Sequence, residues 1–221
     1  MENEISSNPI LESKELKYKG KFLSFFIHNY KMTPQNKSNP ISIPYEVVDY
    51  NSRNFSQNEM TNEYIGKNNY NIYAMNIIPL VYYSSKPKKI ILVSVFRYPI
   101  NKYCLEFPGG FIDKSDSEET SDFSEVIKKA SLRELEEETG YLASNVELLR
   151  EYYPSVGYSN EKLKIYLATN LIKTQQHLDE TEDINVIEVP LEELIEMLDK
   201  NEIITASTTI AIFHYLRYIK K

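Results

Sequence analysis

Between Glu125 and Gly140 the chain carries no proline or glycine, and Ala130, Leu132, Leu135 and a run of glutamates are all good helix formers. A helix that stops at Gly140, which can adopt the left-handed conformation that closes a helix, is the most firmly predicted element of the sequence. At about 100° per residue, Glu134, Glu137 and Glu138 fall within about 100° of one another, with Leu132 and Leu135 to one side. Three carboxylates therefore share one stripe. The stripe lies in the last turns, where the helix dipole disfavours each anion by about 0.3 kcal/mol or more. Arg133 can relieve Glu137 one turn away, but it cannot neutralise the rest. A solvated acidic face explains this placement poorly. A hard divalent cation such as Mg2+ explains it better, because it binds carboxylate oxygens and keeps waters and substrate phosphates as its other ligands.

Composition limits what such a helix can serve. The 221 residues are 42% hydrophobic and include 18 Tyr and 9 Phe, enough for a folded chain that is either one large catalytic domain or a domain with an extension. The formal net charge of −7 argues against nucleic acid as a general partner, since such binders need a basic surface. Any polyanionic substrate must be met locally, with cations bridging it to the carboxylates. The single cysteine, Cys104, cannot form an internal disulfide. The opening MENEISSNPILESKEL has no basic stretch followed by an apolar run, and no segment reaches the ~18 apolar residues of a membrane span. The expectation is a soluble protein of the cytoplasm, or the nucleus, with no membrane partner.

Along the chain, residues 1–15 are polar and read as a mobile tail. Residues 16–70 read as an N-terminal β region: LKYKGKFLSFFIHNYKM as two strands bending at Gly20, IPYEVVDY as a third, and 51–70 as an Asn-rich insertion without periodicity. Residues 71–221 form the main domain. NIYAMNIIPLVYY and KKIILVSVFRYPI are apolar runs of central strands, YCLEF is a short third, and PGG then breaks the chain. The acidic, serine-rich DKSDSEETSDFS leads into the glutamate helix. Further strands are expected near 145–153, 163–169 and 184–189, with helices around LEELIEMLDK and over 205–218. This order points to an α/β fold, a mixed sheet flanked by helices with an additional N-terminal antiparallel β region. His28, His177 and His214 lack ligand-like spacing, and Cys104 is expected to pack in the sheet.

The spacing Glu125, seven residues, then Arg133-Glu134-Leu135-x-Glu137-Glu138-x-Gly140-Tyr141 resembles the Nudix box, G-x5-E-x7-R-E-U-x-E-E-x-G-U, with U a bulky apolar residue. The first half departs from the pattern, because fourteen residues rather than five separate Gly110 from Glu125. A nine-residue insertion between the PGG turn and the helix accounts for this, and the seven-residue spacing favours Glu125 over Glu119 as the first glutamate of the box. The resemblance implies a Nudix α/β/α sandwich. In it Glu134, Glu137 and Glu138 would hold Mg2+ or Mn2+ together with the Gly109 carbonyl, and Arg133 would orient a carboxylate.

The wider sequence is similar to the ADP-ribose and ADP-sugar pyrophosphatase branch of that family. YKGKF and YEVV resemble its N-terminal strands, VFRYP its Q-F-R-x-P segment, and LEFPGGFID its E-F-P-A-G-x-I-D turn. PSVGYSNEKLKIYLA resembles its S-P-G-x-S-x-E loop and next strand, and TEDINVIEVPLEEL its E-x-I-x-V strand. The branch implies hydrolysis of ADP-ribose or a related ADP-sugar to AMP and a sugar phosphate, by a homodimer joined through the N-terminal strands. Arg97 would pair with a diphosphate oxygen, and Glu106 would be a further metal- or substrate-orienting carboxylate. Phe22 and Tyr45 would stack on adenine. Glu182 would activate water, with Glu180 a near alternative, and Glu161 would contact the metal or the water. Val156 stands where the branch has its loop proline, which bears on the substrate preferred. The alternatives are a Nudix hydrolase for another nucleotide sugar, a dinucleotide or an oxidised nucleotide, or a silent fold that senses a nucleotide.

Overall fold

A computed structural model describes residues 9–20, 23–34, 39–50, 73–83, 86–117, 122–179 and 182–220. Phe22, Glu119, Glu180 and the Asn-rich 51–70 segment lie outside them. The chain divides into two compact units, Met1–Ile72 with Ser155–Glu161, and Tyr73–Pro154 with Lys162–Lys221.

In the first unit β1 (Ile10–Lys19), β2 (Leu23–Met32) and β3 (Ile41–Tyr50) pair antiparallel in chain order. Residues 10–15, expected in a polar tail, belong to β1. All ten β1 residues are exposed and the register shifts between Leu11 and Ser13 and between Leu16 and Tyr18, so no apolar alternation marks the strand in the sequence. The Ser155–Glu161 loop adds to β3, where the Val48 N–H donates to the Tyr158 carbonyl at 2.7 Å and the Tyr45 hydroxyl to the Gly157 carbonyl at 3.0 Å. Within the loop the Tyr158 N–H closes a turn on the Ser155 carbonyl at 3.1 Å. Val156 occupies the second position of that turn, the one proline favours, so the turn persists without proline.

The second unit runs β4 (Tyr73–Tyr83), β5 (Lys86–Arg97), β6 (Lys102–Glu106), α1 (Phe123–Thr139), β7 (Tyr141–Tyr152), β8 (Lys162–Lys173), β9 (Ile184–Pro190), α2 (Leu194–Asp199) and α3 (Ala206–Tyr218). β4 is parallel to β8 and antiparallel to β5, β7 is antiparallel to β8, and β5 also pairs with β6 and β9. Neighbouring residues of β4 serve opposite cores. Ile77 packs with Ile127, Ala130 and Leu135 of α1, while Ile78 packs with Ala211, Ile212 and Tyr215 of α3. Helices thus cover both faces of the sheet, which is why its strands read as continuous apolar runs.

Two features fix α1 and the turn facing it. The Asp122 side chain caps the helix start by accepting the Ser124 N–H at 2.9 Å, and Gly140 closes the end at φ 67° with its N–H on the Glu136 carbonyl. The helix ends where the sequence predicts. The Ile77 N–H donates to the Pro108 carbonyl at 2.8 Å, which ties the PGG turn to β4.

Candidate active site

The PGG turn and the last two turns of α1 meet at backbone distance. A Cβ on Gly110 would come within 2.4 Å of the Glu134 carboxyl, so any side chain there would displace the carboxylate. The Gly109 N–H donates to Glu138 Oε2 at 2.8 Å. The turn thus touches Glu134 and Glu138 with backbone alone.

Arg133 organises the other side. Its Nε and NH2 donate to the two oxygens of Asp116 at 3.1 Å each, NH1 reaches Glu137 Oε2 at 2.8 Å and Glu134 Oε1 at 3.1 Å, and NH2 also reaches the Phe111 carbonyl at 3.0 Å. Asp116 is 1% exposed and sits in a short 3-10 turn over Lys114–Ser117. Five residues separate it from Gly110, the spacing that the box sets for its first acid. Glu125, which the spacing back from Arg133 favours, is instead exposed and paired with Lys128 at 2.7 Å. The ion pairs thus favour Asp116 over Glu125 as the acid that partners Arg133. The spacing forward from Gly110 was the signal that could have found it.

The electrostatics single out two carboxyls. Burial pushes the Glu138 carboxyl up to about 8, the Gly109 N–H opposes the shift, Glu134 and Glu182 add to it as like charges, and Arg97 opposes it. Burial pushes Glu134 up to about 7 against the pull of Arg133, with Glu137 and Asp113 adding to the rise. Glu137 lies at the rim, its side chain 41% exposed. Among the described residues no three His, Cys, Asp or Glu side chains converge as a ready cation cage. The structure brings Glu134 and Glu138 together and turns Glu137 towards Arg133.

Arg97, leaving β5, donates through Nε and NH2 to both oxygens of Glu106 on β6, at 2.8 and 2.7 Å. That hydrogen-bonded pair holds the guanidinium above its ordinary pKa. Glu106 is buried while Arg97 is half exposed, so the carboxylate aims the arginine and leaves one edge free for an anion. Glu182 is exposed, and its Oε2 accepts the Asp179 N–H at 3.1 Å. Tyr45 and Glu161 belong to the first unit, where Tyr45 holds Gly157.

This donor set fits a hard cation. It contains oxygen ligands only, and the buried Glu138 and the partly buried Glu134 act on each other as like charges.

The family model described as NUDIX domain matches residues 78–209. The ADP-ribose pyrophosphatase of Bacillus subtilis (strain 168) is 35% identical over 126 residues, covering 56% of this chain and 63% of that protein. The ADP-sugar pyrophosphatase of Mus musculus is 33% identical over 132 residues, covering 57% of this chain and 56% of that protein. The chain thus spans less than two thirds of the length of these relatives. A crystal structure of an ADP compounds hydrolase matches with a TM-score of 0.73 at 20% identity, over 99% of this chain and 97% of that one, a likeness of fold.

Proposed function

Because the chain belongs to the NUDIX domain family and has its mixed α/β fold, we propose that it hydrolyses the diphosphate of ADP-ribose or a related ADP-sugar to AMP and a sugar phosphate. The observation that carries this reading is the carboxyl pair Glu134 and Glu138 against the glycine turn, Glu138 buried and both pushed up by desolvation, a site that a bound cation would complete. The names of the two relatives above support the substrate class.

Mg2+ held by Glu134, Glu138 and the Gly109 carbonyl, with Glu137 at the rim, would supply positive charge to the diphosphate oxygens and Lewis acidity to the reaction. The chain's own groups do the rest. Arg97, aimed by Glu106, takes a diphosphate oxygen on its free edge. Glu182 accepts the proton from the attacking water as a new P–O bond forms and the bridging P–O bond breaks. Arg133 holds Asp116, Glu137 and one oxygen of Glu134, which fixes the helix end while the carboxylates bind. The resemblance to the branch alone would give Phe22 and Tyr45 the adenine and Glu161 a contact to the metal or the water.

We also place the protein in the cytoplasm as a homodimer. A single cysteine, buried in β6, suits a reducing compartment. Ile10 and Tyr18 of β1 are each 67% exposed, apolar surface that a second copy would cover, and a monomeric mass in solution would remove that part of the reading. No helix among the described residues is long and apolar enough to cross a membrane.

The test is AMP release from a panel of ADP-sugars with Mg2+, for the natural chain and for Glu138→Gln. A loss of about 100-fold or more in kcat is expected. Equal turnover in the variant removes the mechanism.

A further inference from the structure

The connection from β8 to β9 carries Glu182, and its described residues are held to the end of α1 by bonds to carbonyls that the helix leaves free. The Thr174 N–H donates to the Gly140 carbonyl at 2.7 Å and the His177 N–H to the Glu137 carbonyl at 2.9 Å. Between them the Gln176 side chain does something different. Its Nε2 donates to the Glu138 carbonyl at 2.7 Å and to the Ile184 carbonyl at 3.1 Å. Both partners are acceptors, so the amide can face them only through its NH2, and both of its hydrogens are committed.

One of those carbonyls belongs to the helix residue whose carboxyl is the most strongly shifted in the site. The other opens β9, two residues after Glu182. The end of α1 would otherwise leave the Glu138 carbonyl without a partner. The backbones pack closely as well: a Cβ on Gly140 would come within 2.9 Å of the Gln176 backbone nitrogen. A second, weaker tie runs from the Tyr103 hydroxyl to Asp183 Oδ2 at 3.2 Å.

We infer that Gln176 is a positioning residue, a carbonyl-to-carbonyl clamp that fixes the Glu182 segment against the helix end so that its carboxylate faces Glu138. The inference rests on the hydrolytic reading above and on the assignment of Glu182 as the base. Gln176 touches no reacting atom; it acts through Glu182. Glutamine suits the task because the span needs a side chain of that length with two hydrogens on one atom. Glutamate has the length without the hydrogens, and it would set a third anion beside Glu138 and Glu182.

The experiment is a double-mutant cycle on the full chain with Mg2+ and whichever ADP-sugar it hydrolyses best. Gln176→Ala and Gln176→Glu should each lower kcat about 10-fold and leave KM within about 2-fold, since the loss falls on proton transfer and not on binding. In a Glu182→Gln background, which is already slow, adding Gln176→Ala should lower kcat no further. Hydrogen exchange of the 174–179 amides should quicken in Gln176→Ala, a readout that needs no turnover and survives a failure to find the substrate. If Glu182→Gln is slow and the Gln176 loss simply multiplies with it, or if Gln176→Ala keeps full kcat, the clamp is overturned while the hydrolytic reading stands. If Glu182→Gln turns over normally, the base assignment falls and the clamp with it. Unchanged exchange in Gln176→Ala overturns the clamp on its own.

Discussion

Arg133 and Glu138 stand little more than one turn apart on α1, and their surroundings are opposites. Arg133 is a cation with more partners than it can neutralise, bonded to Asp116, Glu134, Glu137 and the Phe111 carbonyl. Glu138 is a buried carboxyl that accepts from a neutral N–H, and like charges on Glu134 and Glu182 act on it. The first arrangement is complete in the protein alone. The second is incomplete, and burial makes the deficit expensive. The same short helix end therefore holds a charge group that keeps the fold in place and another that only a ligand completes.

The comparison breaks most visibly if the two are removed in turn from the metal-free protein. Arg133→Met leaves Asp116 buried without its cation, and a loss of about 3–5 kcal/mol in unfolding free energy is expected by urea titration. Glu138→Gln removes a carboxyl that burial disfavours as an anion and should leave metal-free stability equal or higher, while the mechanism proposed above expects the same change to cut turnover. Similar destabilisation in both variants would mean that the two regions do not differ as described.

A pH series sharpens the contrast. Glu134 and Glu138 have folded values of about 7 and about 8 against an ordinary 4.5. Between those values the folded chain holds protons that the unfolded chain has released, so stability must fall as pH rises. The contribution is complete below pH about 4.5 and gone above about 8, on the order of a few kcal/mol for the two together. With chelator present, the melting temperature should drop from pH about 5.5 to about 8.5, and the rise on adding Mg2+ should be larger at the higher pH, where the cation no longer competes with protons. A melting temperature that climbs with pH in chelator would show that these carboxyls are not the strained pair.

Much of this was legible in the sequence, and the parts that were not share a cause. The span and end of α1 followed from the absence of breakers and from Gly140. The central strands followed from apolar runs, because both faces of their sheet are covered. β1 began earlier than expected because a strand with every residue exposed has no period to read. Asp116 was missed because the spacing was counted back from Arg133, across the insertion, and not forward from Gly110. Gln176 left no signal at all, since its partners are backbone carbonyls, which every residue type carries. Tyr45 was given a stacking role by the resemblance to the branch, whereas the structure also shows its hydroxyl holding the Gly157 carbonyl.

The smallest expected effect is at Glu125, and it tests where the insertion lies. If the box is counted back from Arg133, Glu125 is its first acid, and its removal should disturb the ion-pair group and slow turnover. In the structure it lies in the first turn of α1, exposed, where an anion is favoured by the helix dipole and a lysine three residues on shares its charge. Each of those terms is worth a few tenths of a kcal/mol, so Glu125→Gln should change unfolding free energy by less than about 0.5 kcal/mol and kcat not measurably. Asp116→Asn makes the matching change at the position counted forward from Gly110. It should cost about 2 kcal/mol or more, because a charge-assisted, buried pairing with Arg133 becomes a neutral one. Should Glu125→Gln prove the more damaging of the two, the insertion lies before the first acid and Asp116 is only a helper to the turn.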